Sequence, residues 1–373
     1  MAPRQGEKTV SDNVGMTRIK FALPVDPSSA PIPVQFDQVT PALVMESIPD
    51  TATILATQLF RDVAAFLGRY FASQETKYLE KIALNGATYT KSVYYFASSY
   101  ENELAFAMLH TWWWLLDDFV DTCGLKGTTE KMEMLDILDK FIGTGGNPEE
   151  TIKTNSDPWL RAMLESYAEW DATMGGIVPD YFSFKDRFTK GLKVYLQSSE
   201  WGLIDSTLTG YSFEMFSHWR NISCGAIGSN ELMMLLEDGN PPKYMLDHVM
   251  VKTLFYTSST LGAVRNDIVG VVKDLAKNET GGTVMHKILV EEKSPDAAVQ
   301  EIISLHEKVI RDYVQLRKAI LNLFKNCGQD DFKKLENCFE LLERYEYGAT
   351  IFYFASPRYL LDGKFELEHI TTN

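Results

Sequence analysis

Between Thr51 and Ile142 the chain contains no proline, and this feature most narrows what it can fold into. Proline removes a backbone donor and clashes with the preceding helical turn, so a long stretch without it permits uninterrupted helices. Ile54, Leu55, Leu59, Val63 and Leu67 recur there at helical spacing. Alternating β-branched runs joined by Asn-Gly or Asp-Gly turns, the mark of hairpins, are not found. Glycine and proline gather at Gly143–Pro148, Gly175–Gly176, Gly239–Pro242 and Gly281–Gly282, leaving segments of helical length between them. This pattern predicts an all-α fold of about ten or more helices, in one large domain over residues 51–373. Six of the fourteen prolines fall between Pro24 and Pro49, so residues 1–50 are expected to be extended and irregular.

Inside the proline-free stretch, Glu101–Cys123 lacks glycine as well and ends in Leu115-Leu116-Asp117-Asp118-Phe119-Val120-Asp121. On a helix Asp117 and Asp121 share a face, and Asp118 lies three residues before Asp121. Carboxylates so close, flanked by Trp and Leu, repel one another and resist desolvation, which calls for a cation. Hard oxygen ligands at this spacing suit Mg²⁺, an ion usually shared with substrate phosphates. Taken alone, such a run also fits a helix end whose acids face solvent.

A second group of polar residues lies in Leu261–Asp274. Asn266, Gly270 and Asp274 fall at i, i+4 and i+8, a single stripe along a helix. An amide and a carboxylate there can ligate a metal through oxygen, with Lys273 beside them as a phosphate partner. Asn and Asp on a helix are also ordinary surface residues, so this stripe gains weight only beside the first.

Composition excludes several partners. A net charge of −15 opposes nucleic acid and anionic membrane surfaces, and makes an anionic substrate awkward unless metal ions mediate its binding. The four cysteines (Cys123, Cys224, Cys327 and Cys338) are dispersed, with no CxxC and no zinc-spaced histidine, and read as reduced thiols of a cytoplasmic protein. The N-terminal residues carry no apolar core of a secretory signal, and no apolar run reaches the roughly 18 residues of a transmembrane helix.

Taken in order, the motifs resemble class I terpene synthases of the microbial type, over most of the chain. Phe21-Ala22-Leu23-Pro24 is similar to the family's FxLP motif, Asp117-Asp118-Phe119-Val120-Asp121 to its aspartate-rich motif, and Asn266–Asp274 to its second metal motif. Arg220, 46 residues before Asn266, stands where the family has a diphosphate-sensing arginine, followed by a helix break at Ser223-Cys224-Gly225. Gly348–Tyr359 resembles the C-terminal Ser-x-Arg-Tyr pattern, with Phe352 where Trp is common.

The resemblance implies a helical bundle around a central active-site cavity and ionisation of an isoprenyl diphosphate, followed by cyclisation and release of diphosphate. It implies three Mg²⁺ ions, with Asp117, Asp121, Asn266 and Asp274 as metal ligands. Arg220, Lys273, Arg358 and Tyr359 would hold the diphosphate, and Asp118 would pair with a basic residue. His110, Trp113, Trp114, Phe213, Phe216 and Phe352, with Ser223, Cys224 and Gly225 of the break, would line the substrate cavity. Aromatic faces stabilise cations without acting as nucleophiles, which suits a carbocation. A homodimer is compatible with the resemblance. The small residues Thr257–Ala263 lean the substrate toward C20 geranylgeranyl diphosphate over C15 farnesyl diphosphate, and the triple Trp leans the other way.

Two positions depart from the family pattern: Gly270 stands where Ser or Thr is usual, and Asp274 where Glu is commoner. A chain-elongating prenyltransferase would need a second aspartate-rich motif, and Asp330-Asp331-Phe332-Lys333-Lys334 lacks the third Asp. A cyclase started by protonation would need DxDD, which does not occur. A non-catalytic helical protein retaining the fold is the remaining alternative, and Gly270 is the feature in its favour.

Overall fold

A computed structural model describes residues 20–21, 51–121, 127–144, 148–179, 181–204, 210–277, 280–355 and 368–369. Helix starts are set by side chains that accept a hydrogen bond from the first turn: Thr57 from Phe60, Asp157 from Leu160, Ser212 from Met215 and Ser294 from Ala297. Each satisfies an amide that the helix itself leaves without a partner. In chain order the first eight helices are α1 (Thr51–Leu55), α2 (Gln58–Tyr70), α3 (Thr76–Val93), α4 (Tyr100–Asp121), α5 (Thr128–Thr144), α6 (Pro148–Thr154), α7 (Pro158–Ile177) and α8 (Tyr181–Ile204). Then come α9 (Phe213–Ser223), α10 (Ala226–Leu236), α11 (Lys243–Leu246), α12 (Val249–Lys277), α13 (Thr283–Leu289), α14 (Pro295–Phe324) and α15 (Gln329–Ala355). The all-α expectation holds. Among the described residues the one ladder is a two-residue parallel pairing of β1 (Lys20–Phe21) with β2 (Glu368–His369). The rest of the stretch 1–50, including Ala22-Leu23-Pro24, lies outside the described residues.

Helix α4 packs against α2, α3 and α7. Two buried tryptophans fix it: Trp112 donates its indole N–H to the carbonyl of Met163 (3.0 Å), and Trp170 donates to that of Ala105 (2.9 Å). Trp112 is thus an anchor between α4 and α7, which leaves the next two tryptophans to face elsewhere on the helix. Helix α12, the longest but one among those described, packs against α9, α10, α13, α14 and α15. A buried ion pair holds it to α15: Arg265 donates to Glu346 at 2.8 Å, and Ser258 donates to the other oxygen at 2.8 Å. Arg265 also donates to His306 of α14 (2.9 Å). Removing one partner of such a pair would strand a buried charge. Helix α10 touches both α4 and α12, so it joins the elements that carry the two acidic motifs. No described helix is long and apolar enough to cross a membrane.

Candidate active site

The adjacent acids at the end of α4 are each taken by a tyrosine from a different helix. Tyr195 of α8 donates to Asp117 Oδ1 at 2.9 Å, and Tyr78 of α3 donates to Asp118 Oδ2 at 2.8 Å. Burial and the two aspartates push the Tyr78 phenol well above its ordinary range, so it stays a donor. In this contact Asp118 accepts from a neutral phenol. Asp121 lies one turn further along α4; its side chain is outside the described residues.

Trp113, one turn before Asp117, connects this helix to the break between α9 and α10. Its ring meets Tyr195 edge to face, centroids 5.0 Å apart. A Cβ on Gly225 would lie 3.0 Å from Trp113 Cζ2, and one on Gly228 only 2.6 Å from Cη2. The two glycines thus form the seat of the indole. Gly225 also carries φ = 76°, a left-handed conformation that L side chains resist, and it separates α9 from α10. The indole N–H is buried without a hydrogen-bond partner among the described residues.

One helical turn before the break, Arg220 turns toward the second motif. Its Nε donates to Asp267 Oδ1 (2.9 Å) and one terminal nitrogen to Asn266 Oδ1 (3.1 Å). The other terminal nitrogen has no partner among the described residues. Burial disfavours the guanidinium's charge, yet the carboxylate of Asp267 outweighs it and raises the affinity for the proton above the ordinary value. Asp267 is itself 1% exposed and accepts from the Thr283 amide (2.7 Å) and hydroxyl (2.9 Å) at the start of α13. Its importance was hidden in the sequence, because it lies off the Asn266–Asp274 stripe; its only signal was direct adjacency to Asn266.

Asp274 is 8% exposed and sits 3.2 Å from Lys273. Its carboxylate leans back over Gly270, where a Cβ would lie 3.3 Å from Oδ2. The space that Gly270 vacates is therefore partly taken by Asp274. Among the described residues no three His, Cys, Asp or Glu side chains form a ready-made metal cluster. What they offer is an oxygen-only set in two places: the half-buried Asp117 and Asp118 on α4, and Asn266 with Asp274 on α12. That chemistry fits a hard divalent cation that keeps part of its water shell.

The expected cavity aromatics divide into two groups. Trp113, Trp114 and Phe352 belong with the main core, where Tyr89 meets Trp114 at 5.5 Å and Phe352 at 4.9 Å. Phe213 and Phe216 belong to separate apolar clusters near α13: Phe213 lies under the Lys287 ammonium (3.8 Å) and Phe216 against His286 (4.6 Å). On the first turn of α9, they face α13. His110 is likewise a core residue, 4% exposed, with Nδ1 on the Phe106 carbonyl (2.8 Å) and Nε2 on Ser229 Oγ (2.9 Å). Burial pushes its pKa down to about 4, so it is neutral. Ser223 and Cys224 close α9 through bonds to the Arg220 and Asn221 carbonyls. Arg358 and Tyr359 lie outside the described residues.

The small residues of α12 are occupied in packing. Ser258 and Ser259 are fully buried and donate to Glu346 and to the Asn221 carbonyl, Thr260 accepts from Asn221, and Gly262 faces Ala226 of α10. They bring α9, α10 and α15 close instead of opening room for a long chain, which removes the sequence argument favouring C20 over C15.

Comparison with known proteins agrees with the all-α fold. A linalool/nerolidol synthase from Streptomyces clavuligerus, solved with 2-fluorogeranyl diphosphate, superposes with a TM-score of 0.67 at 14% identity over 81% of this chain and 98% of its own. A cucumene synthase variant gives 0.63 at 13% identity, covering 81% and 97% of the two chains. A variant of SVS_A2, a protein from ancestral sequence reconstruction, gives 0.65 at 14% identity, covering 82% and 84%. No curated protein sequence matches. Residues 108–312, more than half of the chain and spanning both acidic motifs, match the family model described as "Terpene synthase family 2, C-terminal metal binding". With the class I all-α fold carrying those motifs, the chain belongs to the terpene synthase family.

Proposed function

We propose that this terpene synthase is a Mg²⁺-dependent class I cyclase that ionises an isoprenyl diphosphate, C15 or C20, and closes the resulting carbocation to a terpene hydrocarbon or alcohol. The observation that carries the reading is the Arg220 clamp: a charged guanidinium fixed by Asp267 and Asn266, one turn before a left-handed helix break. Asp117, Asp121, Asn266 and Asp274 would hold the metal, which when bound supplies positive charge against the departing diphosphate. The chain's own residues do the rest.

Arg220 keeps one terminal nitrogen to donate to the diphosphate, and a preorganised donor aimed at developing charge needs no reorganisation during the reaction. Lys273, Arg358 and Tyr359 add donors in the same role. As the allylic C–O bond breaks, its electron pair leaves with the diphosphate oxygen, and the cation stays against the Trp113 and Phe352 side of the fold. Closely packed aromatics there exclude water, which would otherwise quench the cation. Loss of a proton or capture of one water ends the reaction. The three free cysteines described, Cys224, Cys327 and Cys338, support a cytoplasmic location.

Incubation with C10, C15, C20 and C25 isoprenyl diphosphates and Mg²⁺, with extracts analysed by gas chromatography, tests the reading. A cyclic terpene and inorganic diphosphate are expected from C15 or C20. A longer diphosphate would identify a chain-elongating enzyme instead, and no turnover of any substrate would leave the fold without the activity.

A further inference from the structure

The aspartate-rich motif does not stand alone at the end of α4, because Tyr195 reaches across from α8 to touch two residues of that helix at once. Its hydroxyl donates to Asp117 Oδ1 at 2.9 Å, and its ring meets Trp113 edge to face. Tyr195 is 4% exposed, and the hydroxyls of Ser198 and Ser199 bond back to its carbonyl. Trp113 in turn rests on Gly225 and Gly228 at the break that follows Arg220. Through Trp113, Tyr195 therefore links the acid of α4 to the segment that follows Arg220.

We propose that Tyr195 is a positioning residue of this enzyme: it orients the Asp117 carboxylate for the metal and keeps the α4 acids in register with the helix break. The proposal rests on the reading of Asp117 as a metal ligand. A carboxylate that spends one oxygen on a fixed donor loses rotational freedom and presents its other oxygen in one direction. Groups that hold a ligand this way typically control metal affinity by about 10- to 100-fold. Asp118 accepts from its own tyrosine, Tyr78 of α3, so the two neighbouring acids have separate donors. Each of the two adjacent half-buried carboxylates thus accepts from a tyrosine hydroxyl.

The test separates hydroxyl from ring and metal from turnover. Tyr195→Phe keeps the ring against Trp113 and removes the hydrogen bond. Mn²⁺ binding in the presence of inorganic diphosphate, read by electron paramagnetic resonance, is compared for wild type, Tyr195→Phe, Asp117→Asn and the double variant. The expected result is about a tenfold weaker Mn²⁺ half-saturation in Tyr195→Phe, with a melting temperature without metal within a few degrees of wild type. The double variant should bind no more weakly than Asp117→Asn, since the hydroxyl acts through that carboxylate. If Asp117→Asn is impaired and Tyr195→Phe binds Mn²⁺ like wild type, the positioning role is wrong while the metal reading stands. If Asp117→Asn itself binds like wild type, the metal reading fails and takes this proposal with it.

Discussion

Replacing Gly225 by Ala adds one methyl group at the hinge of the candidate site, and two costs arise together. At φ = 76° an L residue sits in the left-handed region, a penalty of roughly 1–2 kcal/mol. The new Cβ would also stand 3.0 Å from Trp113 Cζ2, and Tyr195 backs that ring, so overpacking adds roughly 1–3 kcal/mol. The sum, about 2–5 kcal/mol, is a large part of the roughly 5–15 kcal/mol that holds a domain folded. Gly228→Ala makes the informative contrast. It lies within α10, where Ala is favoured over Gly by about 1 kcal/mol, but its Cβ would meet the same indole at 2.6 Å. Trp113→Leu should remove the collision in both backgrounds. Gly228→Ala should then become stabilising, while Gly225→Ala keeps its backbone penalty. Equilibrium denaturant midpoints on these single and double variants measure this. A Gly225→Ala variant as stable as wild type, or a Gly228→Ala change still destabilising in the Trp113→Leu background, would refute the seat described for the indole.

Other outcomes follow from the same contacts. Asp117→Asn keeps shape and removes charge, and turnover at saturating Mg²⁺ should fall at least about tenfold; an unchanged rate excludes direct involvement of that carboxylate. Arg220→Lys keeps charge but loses the planar fork that spans Asp267 and Asn266, so most activity should disappear and inorganic diphosphate should bind more weakly, as calorimetry would report. Gly270→Ser supplies the family's hydroxyl, and its Cβ needs only a small shift of the flexible Asp274 carboxylate 3.3 Å away, so the enzyme should stay active with a lower Mg²⁺ requirement and an equal or slightly higher melting temperature. A destabilised, inactive serine variant would show that Asp274 cannot move. His110, with its pKa pushed by burial to about 4 in the folded state, binds its proton later than the unfolded chain does as pH falls. Stability should therefore be lost between about pH 6.5 and pH 4, by about 3 kcal/mol from this group, and melting curves of His110→Gln across that range should lack its share.

Proline spacing and helical periodicity were enough to read an all-α chain, because they report local backbone constraints that no tertiary contact needs to supply. The order of the motifs, from Asp117 through Arg220 to Asp274, was also legible, since each has a fixed spacing along one helix or across one break. The sequence could not tell which side chains of a motif face each other. Three adjacent tryptophans look alike in sequence, yet Trp112 ties α4 to α7 and Trp113 rests on two glycines more than a hundred residues away. His110 and the small residues of α12 had the composition of a cavity wall, and packing turned them into core and close helix contacts. Asp267, Tyr195 and Tyr78 carried no spacing signal, because their roles depend on which helices lie beside one another. Periodicity fixes a residue's face on its own helix; only the packing of one helix against another decides what that face meets, and the orientation of the site's charges is settled there.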